Sequence, residues 1–133
     1  MEYNFKKFEG VNSRMENRIT ITNSNSVGFP TQFYNDNNIK RFEYVLLFWD
    51  AKNKAIGIKF TNEESEKSRF KILHSKIGYG GSITARSFLK ANNIDPKLYH
   101  GRYDWKKEKV EGIGEIFIIE LKEKQAKEQK ANG

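Results

Sequence analysis

The side chains whose type and spacing most clearly suggest a chemical role are six Lys and Arg residues in one short segment. Residues 67–90 contain six Lys or Arg and no Asp or Glu, whereas residues 1–66 are neutral overall and residues 91–133 carry a net charge of +1. Almost all of the formal charge of +7 is therefore concentrated in 24 residues. Such a concentration favours a surface that contacts polyanions. The alternative is that folding disperses these charges over several faces.

A glycine-rich stretch lies inside this segment. Gly78, Gly80 and Gly81 could bring backbone N–H groups close to a phosphate, and Tyr79 between them could stack on a base. An equally good reading is a sharp turn that needs positive φ angles, with Tyr79 as an ordinary packing ring. The spacing matches neither of the glycine patterns that bind nucleotide phosphates, so the sequence predicts no nucleotide-binding loop.

Residues that could support catalysis are few. The chain has two histidines, 26 residues apart, and no cysteine, so a metal site or a catalytic triad has little support. Glu120 and Lys122 follow an apolar strand as the end of a nuclease motif would, but such a site needs a second acid for Mg²⁺, and only Asp95 or Asp104 is available. We therefore predict that the protein is not an enzyme and uses no metal and no cofactor.

Alternating and apolar runs predict the elements that must position these groups. The predicted strands cover residues 18–22, 44–49, 55–60, 70–74, 98–105 and 115–121. Pro30 suits the first position of a short helix over residues 31–36, and residues 85–92 predict a second helix. Residues 106–114 predict a long polar connection.

The chain also contains an internal repeat. At an offset of 55 residues, Phe33, Asn38, Ile39 and Tyr44 fall on Phe88, Asn93, Ile94 and Tyr99. Each half repeats the order strand, helix, strand, strand. Neither half would bury enough apolar surface alone, so we expect one shared core across a pseudo-two-fold axis. The predicted fold class is α+β, mainly β, with two tandem β-α-β-β halves in one domain.

One short motif in the first half has a counterpart in a known family. Residues 27–30 read Val-Gly-Phe-Pro and are followed by Phe33 in the helix and by Ile39. This unit resembles the swapped-hairpin family of AbrB, MraZ and antitoxins such as MazE, in which a hydrophobic-x-hydrophobic-Pro strand end precedes a short helix and a β-hairpin. The second half matches less closely, with Ala85 in place of the proline. Phe42 stands where the family has a glycine, and residues 67–81 have no family counterpart.

The resemblance implies two interleaved halves and DNA binding by basic side chains near each helix. It points to Arg18 and Arg86, with Arg14 nearby. Together with the charge pattern it predicts a transcriptional regulator that favours double-stranded DNA. The predicted nucleic-acid-binding residues are Arg14, Arg18, Lys67, Arg69, Lys71, Lys76, Tyr79, Arg86 and Lys90. The alternatives are a non-enzymatic protein-interaction module, antitoxin-like or encoded by a phage or plasmid, and a binder of single-stranded nucleic acid.

The segment boundaries follow from these assignments. We predict an N-terminal arm or edge strand, a first half, a basic connection, a second half and a charged, disordered tail, over residues 1–17, 18–66, 67–81, 82–121 and 122–133. The sequence shows no signal-peptide pattern and no apolar run long enough for a membrane span. We expect a cytoplasmic protein that does not enter a membrane, and a homo-oligomer is compatible with the pattern.

Overall fold

The computed structural model describes residues 2–5, 16–76 and 80–123. The strands are β1 (Ile19–Ile21), β2 (Ser26–Pro30), β3 (Tyr44–Asp50), β4 (Ala55–Thr61), β5 (Phe70–Lys71), β6 (Leu73–His74), β7 (Gly80–Thr84), β8 (Gly101–Tyr103), β9 (Trp105–Val110) and β10 (Gly114–Glu120). The helices are α1 (Thr31–Asp36), α2 (Arg86–Ala91) and α3 (Pro96–Tyr99), with a 3-10 turn over Ile39–Arg41. The predicted α+β, mainly β class is confirmed.

The strands form two antiparallel five-stranded sheets. Sheet A has the order β6-β7-β2-β1-β8, and sheet B has the order β5-β3-β4-β10-β9. Val27 and Phe29 of β2 alternate with less buried residues and point inward, and they share one core with Val45, Ile58 and Phe117 of sheet B.

Two stretches of chain belong to both sheets. β5 pairs with β3 in sheet B, and after Ile72 the chain continues as β6, which pairs with β7 in sheet A. On the opposite side, β8 pairs with β1 in sheet A and β9 pairs with β10 in sheet B. We call residues 70–74 the first bridging segment and residues 101–110 the second bridging segment. They join the two sheets along both sides.

Large rings fill the space between the sheets. Phe33 of α1 is completely buried, and its ring centroid lies 5.0 Å from Phe117, 5.3 Å from Trp105, 5.9 Å from Phe29 and 6.2 Å from Phe60. Edge-to-face contacts of this kind add to the free energy of area burial. Burial of large rings is thus concentrated around one helix side chain.

β2 and β7, at the centre of sheet A, pair in a register that is symmetric with respect to the 55-residue offset of the sequence repeat. At the offset of 55 residues, the counterpart of Val27 is Ser82, which pairs with Gly28. The counterpart of Gly28 is Ile83, which pairs with Val27. Asn38 and Asn93, which the repeat superposes, both adopt left-handed backbone with φ of 51° and 56° just after a helix. A tandem duplication of the whole unit stays a prediction.

Three segments differ from the sequence-based assignment. Most of residues 106–114 form β9 and the turn after it, because an edge strand can pair through its backbone with β10 while its Lys and Glu side chains stay in water. The strand predicted over residues 98–105 begins with α3, whose first turn is capped by the Asp95 carboxylate accepting from the Lys97 N–H at 2.9 Å. The predicted connection 67–81 contains β5, β6 and the start of β7.

The two predicted helices are present as α1 and α2, one turn and a half each. In the described part of the chain, no helix has the length and apolar character to cross a bilayer.

Candidate nucleic-acid interface

The first bridging segment carries its cations on its outward side. Ile72 is buried between the sheets, and its N–H donates to the Glu43 carbonyl at 2.9 Å. Because side chains alternate along extended chain, Lys71 on β5 points to solvent. Before β5, Ser68 has a φ of 62°, which ends the extended conformation and turns the chain toward an exposed loop that carries Lys67.

Arg69 and Lys71 lie on the same face of sheet B. Lys71 is directly opposite Tyr44 in the β3–β5 register, and the Arg69 guanidinium lies 4.8 Å from the centroid of the Tyr44 ring. Arg69 also donates from Nη1 to the backbone oxygen of Glu66 at 3.0 Å. These two contacts fix the guanidinium beside Lys71 without neutralising its charge.

α2 adds two further cations beside this segment. β5 and β7 approach each other with Cα atoms within 8 Å, and β7 leads through Ala85 into α2. Arg86 opens the helix and Lys90 lies one turn later, so both exposed side chains share one face. Leu89 is buried on the opposite side and holds the helix against the core.

We call Lys67, Arg69, Lys71, Arg86 and Lys90 the cationic edge. All five side chains are exposed, and none forms an ion pair within the described ranges 2–5, 16–76 and 80–123. The carboxylates nearest along the chain, Glu64 and Glu66, lie in the exposed loop before β5 and form no ion pair there either. The edge therefore presents uncompensated positive charge.

The second bridging segment is different, because three of its four cations have carboxylate partners, and only Lys109 has none in the described residues. Lys106 lies 3.9 Å from both Glu108 and Glu120, and Lys107 lies 3.0 Å from Glu115. Glu120, which the nuclease reading of the sequence would use, is thus part of this charge-compensated strand pair.

Glu16 compensates two more arginines at the start of the second bridging segment. It accepts from Arg18 Nε at 3.0 Å and Nη2 at 2.8 Å, and its Oε1 lies 3.3 Å from Arg102 Nη1. The hydrogen bonds from the Arg18 side chain lower the pKa of Glu16 to about 2, although partial burial opposes this shift. Glu16 in turn raises the pKa of Arg18.

Five of the nine predicted nucleic-acid-binding residues form the cationic edge, on α2, on the first bridging segment and in the loop before it. Arg18 lies apart from them, at the start of β1, which β2 separates from β7, and it is bound to Glu16. Lys76 follows β6 at the far end of the hairpin that the bond from Ser75 N–H to the Gly80 carbonyl closes at 2.9 Å. Arg14 and Tyr79 lie outside the described residues.

The described glycines of the segment serve packing and turn geometry. Gly80 has a φ of 108°, and a Cβ atom there would collide with the Phe29 carbonyl. A Cβ on Gly81 would press on the Leu73 carbonyl at 3.2 Å and on the Ile72 side chain at 3.3 Å. Both positions face protein atoms, so they support the turn reading of the glycine pattern over a phosphate cradle.

His74 ties the first bridging segment to α1. Its Nε2 lies 2.8 Å from the Phe42 carbonyl, which can only accept, so Nε2 carries a proton. Its Nδ1 lies 2.7 Å from the Tyr34 hydroxyl, and burial raises the pKa of that phenol. His74 is a structural link here.

Two cations near this segment were missed by sequence reasoning. Lys40 and Arg41 lie on the exposed 3-10 turn, and Arg41 stacks at 4.7 Å from the Phe42 ring centroid. The bonds from Ile72 and His74 to the backbone of residues 42 and 43 place this turn beside the first bridging segment. A two-residue basic pair far away along the chain offers no local signal of this proximity.

Comparisons of the chain with protein-family models, with curated proteins and with solved structures find no match. Within the described ranges, no group of three or more His, Asp or Glu side chains is arranged to hold a metal ion. The arrangement on which a function can be argued is the cationic edge.

Proposed function

We propose that the protein binds double-stranded DNA through the cationic edge, as a regulator of transcription. The observation that carries this proposal is that five cations of residues 67–90 are exposed and have no ion-pair partner in the described residues, while β5 lies close to β7, the strand that leads into α2. Cations that fold against carboxylates gain little from a new anion. Cations that are left uncompensated gain affinity from each phosphate they neutralise, because condensed counterions are released.

The edge favours a duplex over a single strand. Single strands are held by exposed rings on which bases stack. The Tyr44 ring at the edge is covered by Arg69, and Phe70 is half-buried against the core. In the described part of the chain, the large apolar side chains that are strongly exposed are Tyr3, Phe5 and Leu73, and the ring-bearing two lie at the N-terminus. Phosphate contact by flexible cations suits a duplex.

The regulator role rests on two further observations. The Val-Gly-Phe-Pro strand end at residues 27–30 precedes a short helix, a 3-10 turn and a β-hairpin, which is the order of elements that the AbrB and MraZ resemblance implies. The strands β2 and β7, which the predicted repeat superposes, pair with each other at the centre of sheet A, which supports the proposed pair of similar units. Sequence-dependent binding by this frame is the proposed activity.

The experiment is a fluorescence-anisotropy titration with a duplex of random sequence and the matching single strand. At about 50 and 200 mM salt, four to five phosphate contacts predict a decrease in log affinity against log salt with a slope of roughly −4. Failure of the duplex to bind at the lower salt would overturn the proposal. A preference for the single strand would assign the site to the alternative ligand.

A pair of charge-reversal variants locates the interface. We expect Lys71→Glu with Arg86→Glu to lower duplex affinity about 100-fold at low salt. The matched control is Lys106→Glu with Lys107→Glu, which changes the net charge equally but alters cations that already have partners. Equal losses in both variants would show an effect of net charge alone and would remove the cationic edge from the interface.

A further inference from the structure

Sheet B is apolar at the centre of the face that points away from the core, which we call its outer face. Because side chains alternate along a strand, Leu46 and Phe48 lie on the face opposite to the completely buried Val45. Gly57 lies opposite Phe48 in the β3–β4 register, and a Cβ atom there would lie 3.4 Å from Phe48 Cβ and 3.0 Å from Ile116 Cδ1. Apolar side chains of β3 and β10 thus approach each other on the outer face.

Two connections border this apolar surface and form a pocket with it. The sheet order β5-β3-β4-β10-β9 brings the loop before β5 from one edge of sheet B and the turn between β9 and β10 from the other. Residues 46–48 and Lys59 form the floor of the pocket, and residues 66–68 and 112–113 form its walls. The pocket is open to solvent and has a volume of about 300 Å³. That volume holds about ten non-hydrogen atoms, the size of a small organic ligand.

Each wall of the pocket is attached to sheet B through a cation. On the side of the loop before β5, the Arg69 guanidinium donates to the Glu66 carbonyl at 3.0 Å and lies 4.8 Å from the centroid of the Tyr44 ring on β3. On the side of the turn, Lys59 Nζ donates to the Ile113 carbonyl at 2.6 Å. Contacts of the fold itself therefore hold both walls, so the pocket is formed before a ligand binds.

Lys59 gives the pocket an anion-binding group. Its ammonium has three N–H groups, of which the bond to the Ile113 carbonyl uses one, and it forms no ion pair in residues 2–5, 16–76 and 80–123. Lys59 is half-buried, and an ammonium partly removed from water gains more from an anion than an exposed one does. Lys67 adds a second positive charge and Glu66 one negative charge, so a monoanion suits the pocket better than a phosphate dianion.

We propose that this pocket binds a small apolar monocarboxylate, an acid with one carboxylate and an aromatic or branched body. The apolar body packs on Leu46 and Phe48, and the carboxylate accepts from the remaining N–H groups of Lys59. Phenylacetate has the size that the volume allows and serves as the probe. Lys67 also belongs to the cationic edge, but the tests use the protein without DNA. Their outcome is therefore independent of the proposed function.

Titration of the isotope-labelled protein with phenylacetate, followed by amide chemical shifts in NMR spectra, tests the site. We expect saturable shifts centred on the amides of Ser68, Gly112 and Ile113, with a Kd of roughly 1 mM. Acetate has the charge without the apolar body, and phenylacetamide has the apolar body without the charge. Each should bind at least about tenfold more weakly. Equal binding of either analogue, or the absence of shifts at about 10 mM phenylacetate, would overturn the proposal.

Three variants locate the bound acid, and a dispersed amide spectrum shows that each is folded. Lys59→Met removes the charge but keeps an unbranched side chain, and it should raise the Kd for phenylacetate about tenfold. Leu46→Trp should abolish binding by filling the pocket while Lys59 is retained. The matched control is Lys106→Met, because Lys106 lies outside the pocket and has carboxylates within 4 Å, and it should leave the Kd unchanged. Wild-type affinity in either pocket variant, or an equal loss in the control, would place the acid elsewhere and overturn the proposal.

Discussion

The two bridging segments occupy corresponding places in the fold and differ in how their charges are compensated. Each crosses from one sheet to the other and joins the two. The second bridging segment has four cations, and three of them, Arg102, Lys106 and Lys107, each have a carboxylate within 4 Å. The first bridging segment and its surroundings hold the cationic edge, without such partners in the described chain.

The same contrast applies to the two helices that the repeat superposes. Phe33 of α1 is at the centre of the aromatic core, but its counterpart Phe88 on α2 is half-buried at the margin. α1 is therefore the main anchor of the core, and α2 carries Arg86 and Lys90 on its exposed side.

Removing the rings of Phe33 and Phe88, which the sequence repeat superposes, should give the largest changes in the free energy of unfolding. Phe33→Ala is expected to reduce the free energy of unfolding by about 3–5 kcal/mol, because it leaves a cavity among four other rings. Phe88→Ala should reduce it by roughly half as much, since less of the ring is buried. Urea denaturation of both variants measures the difference, and equal losses would contradict the unequal roles of the helices.

Neutralising one cation should lower DNA affinity when the cation lies in the first bridging segment and should leave it unchanged when the cation lies in the second. Lys71→Gln is expected to lower duplex affinity about tenfold at low salt and to reduce the magnitude of the salt slope by about 1. Lys107→Gln should change neither quantity, because Lys107 is paired with Glu115. Anisotropy titrations at several salt concentrations give both slopes. A larger effect of Lys107→Gln would reverse the assignment of the two sides.

Acid should weaken the compensated side through Glu16. A carboxyl whose folded-state pKa is about 2 adds stability above its unfolded pKa, and this contribution is lost as the pH falls from about 5 toward 2. Because the side chains of Arg18 and Arg102 are 45% and 59% exposed, solvent screening reduces the contribution to about 1 kcal/mol.

Glu16→Gln measures this contribution directly. Wild type and variant should differ by about 1 kcal/mol in unfolding free energy at pH 7, and the difference should vanish near pH 2. Denaturation midpoints over this pH range provide the readout. A constant difference at all pH values would indicate a steric effect of the substitution.

Substituting the two asparagines that have left-handed backbone should give the smallest changes in stability, and the changes should be equal at the two positions. Asn38→Ala and Asn93→Ala should each reduce stability by about 1 kcal/mol, because alanine tolerates positive φ poorly. Glycine at either position should be close to neutral. Thermal unfolding of the four variants tests this, and a loss at only one of the two positions would show that the halves differ there as well.

Several elements were predictable because their signals are local. The apolar run of β3, the returning β4 and the last strand β10 follow from hydrophobic patterning, and Pro30 marks the start of α1. β9 was not predictable in this way, because its Lys and Glu side chains give no apolar alternation. It is a strand only because β10 supplies a hydrogen-bonding partner.

The sequence by itself determined the mainly β class, the position of the first helix and the segment that holds the excess charge. Only the tertiary structure decided which cations remain uncompensated. Arg18 looks as available as Arg69 in the sequence, but Glu16 binds it together with Arg102, which the pairing of β1 with β8 brings close. Charge content is a property of the chain, whereas charge compensation depends on distances between remote residues, and strand pairing sets those distances.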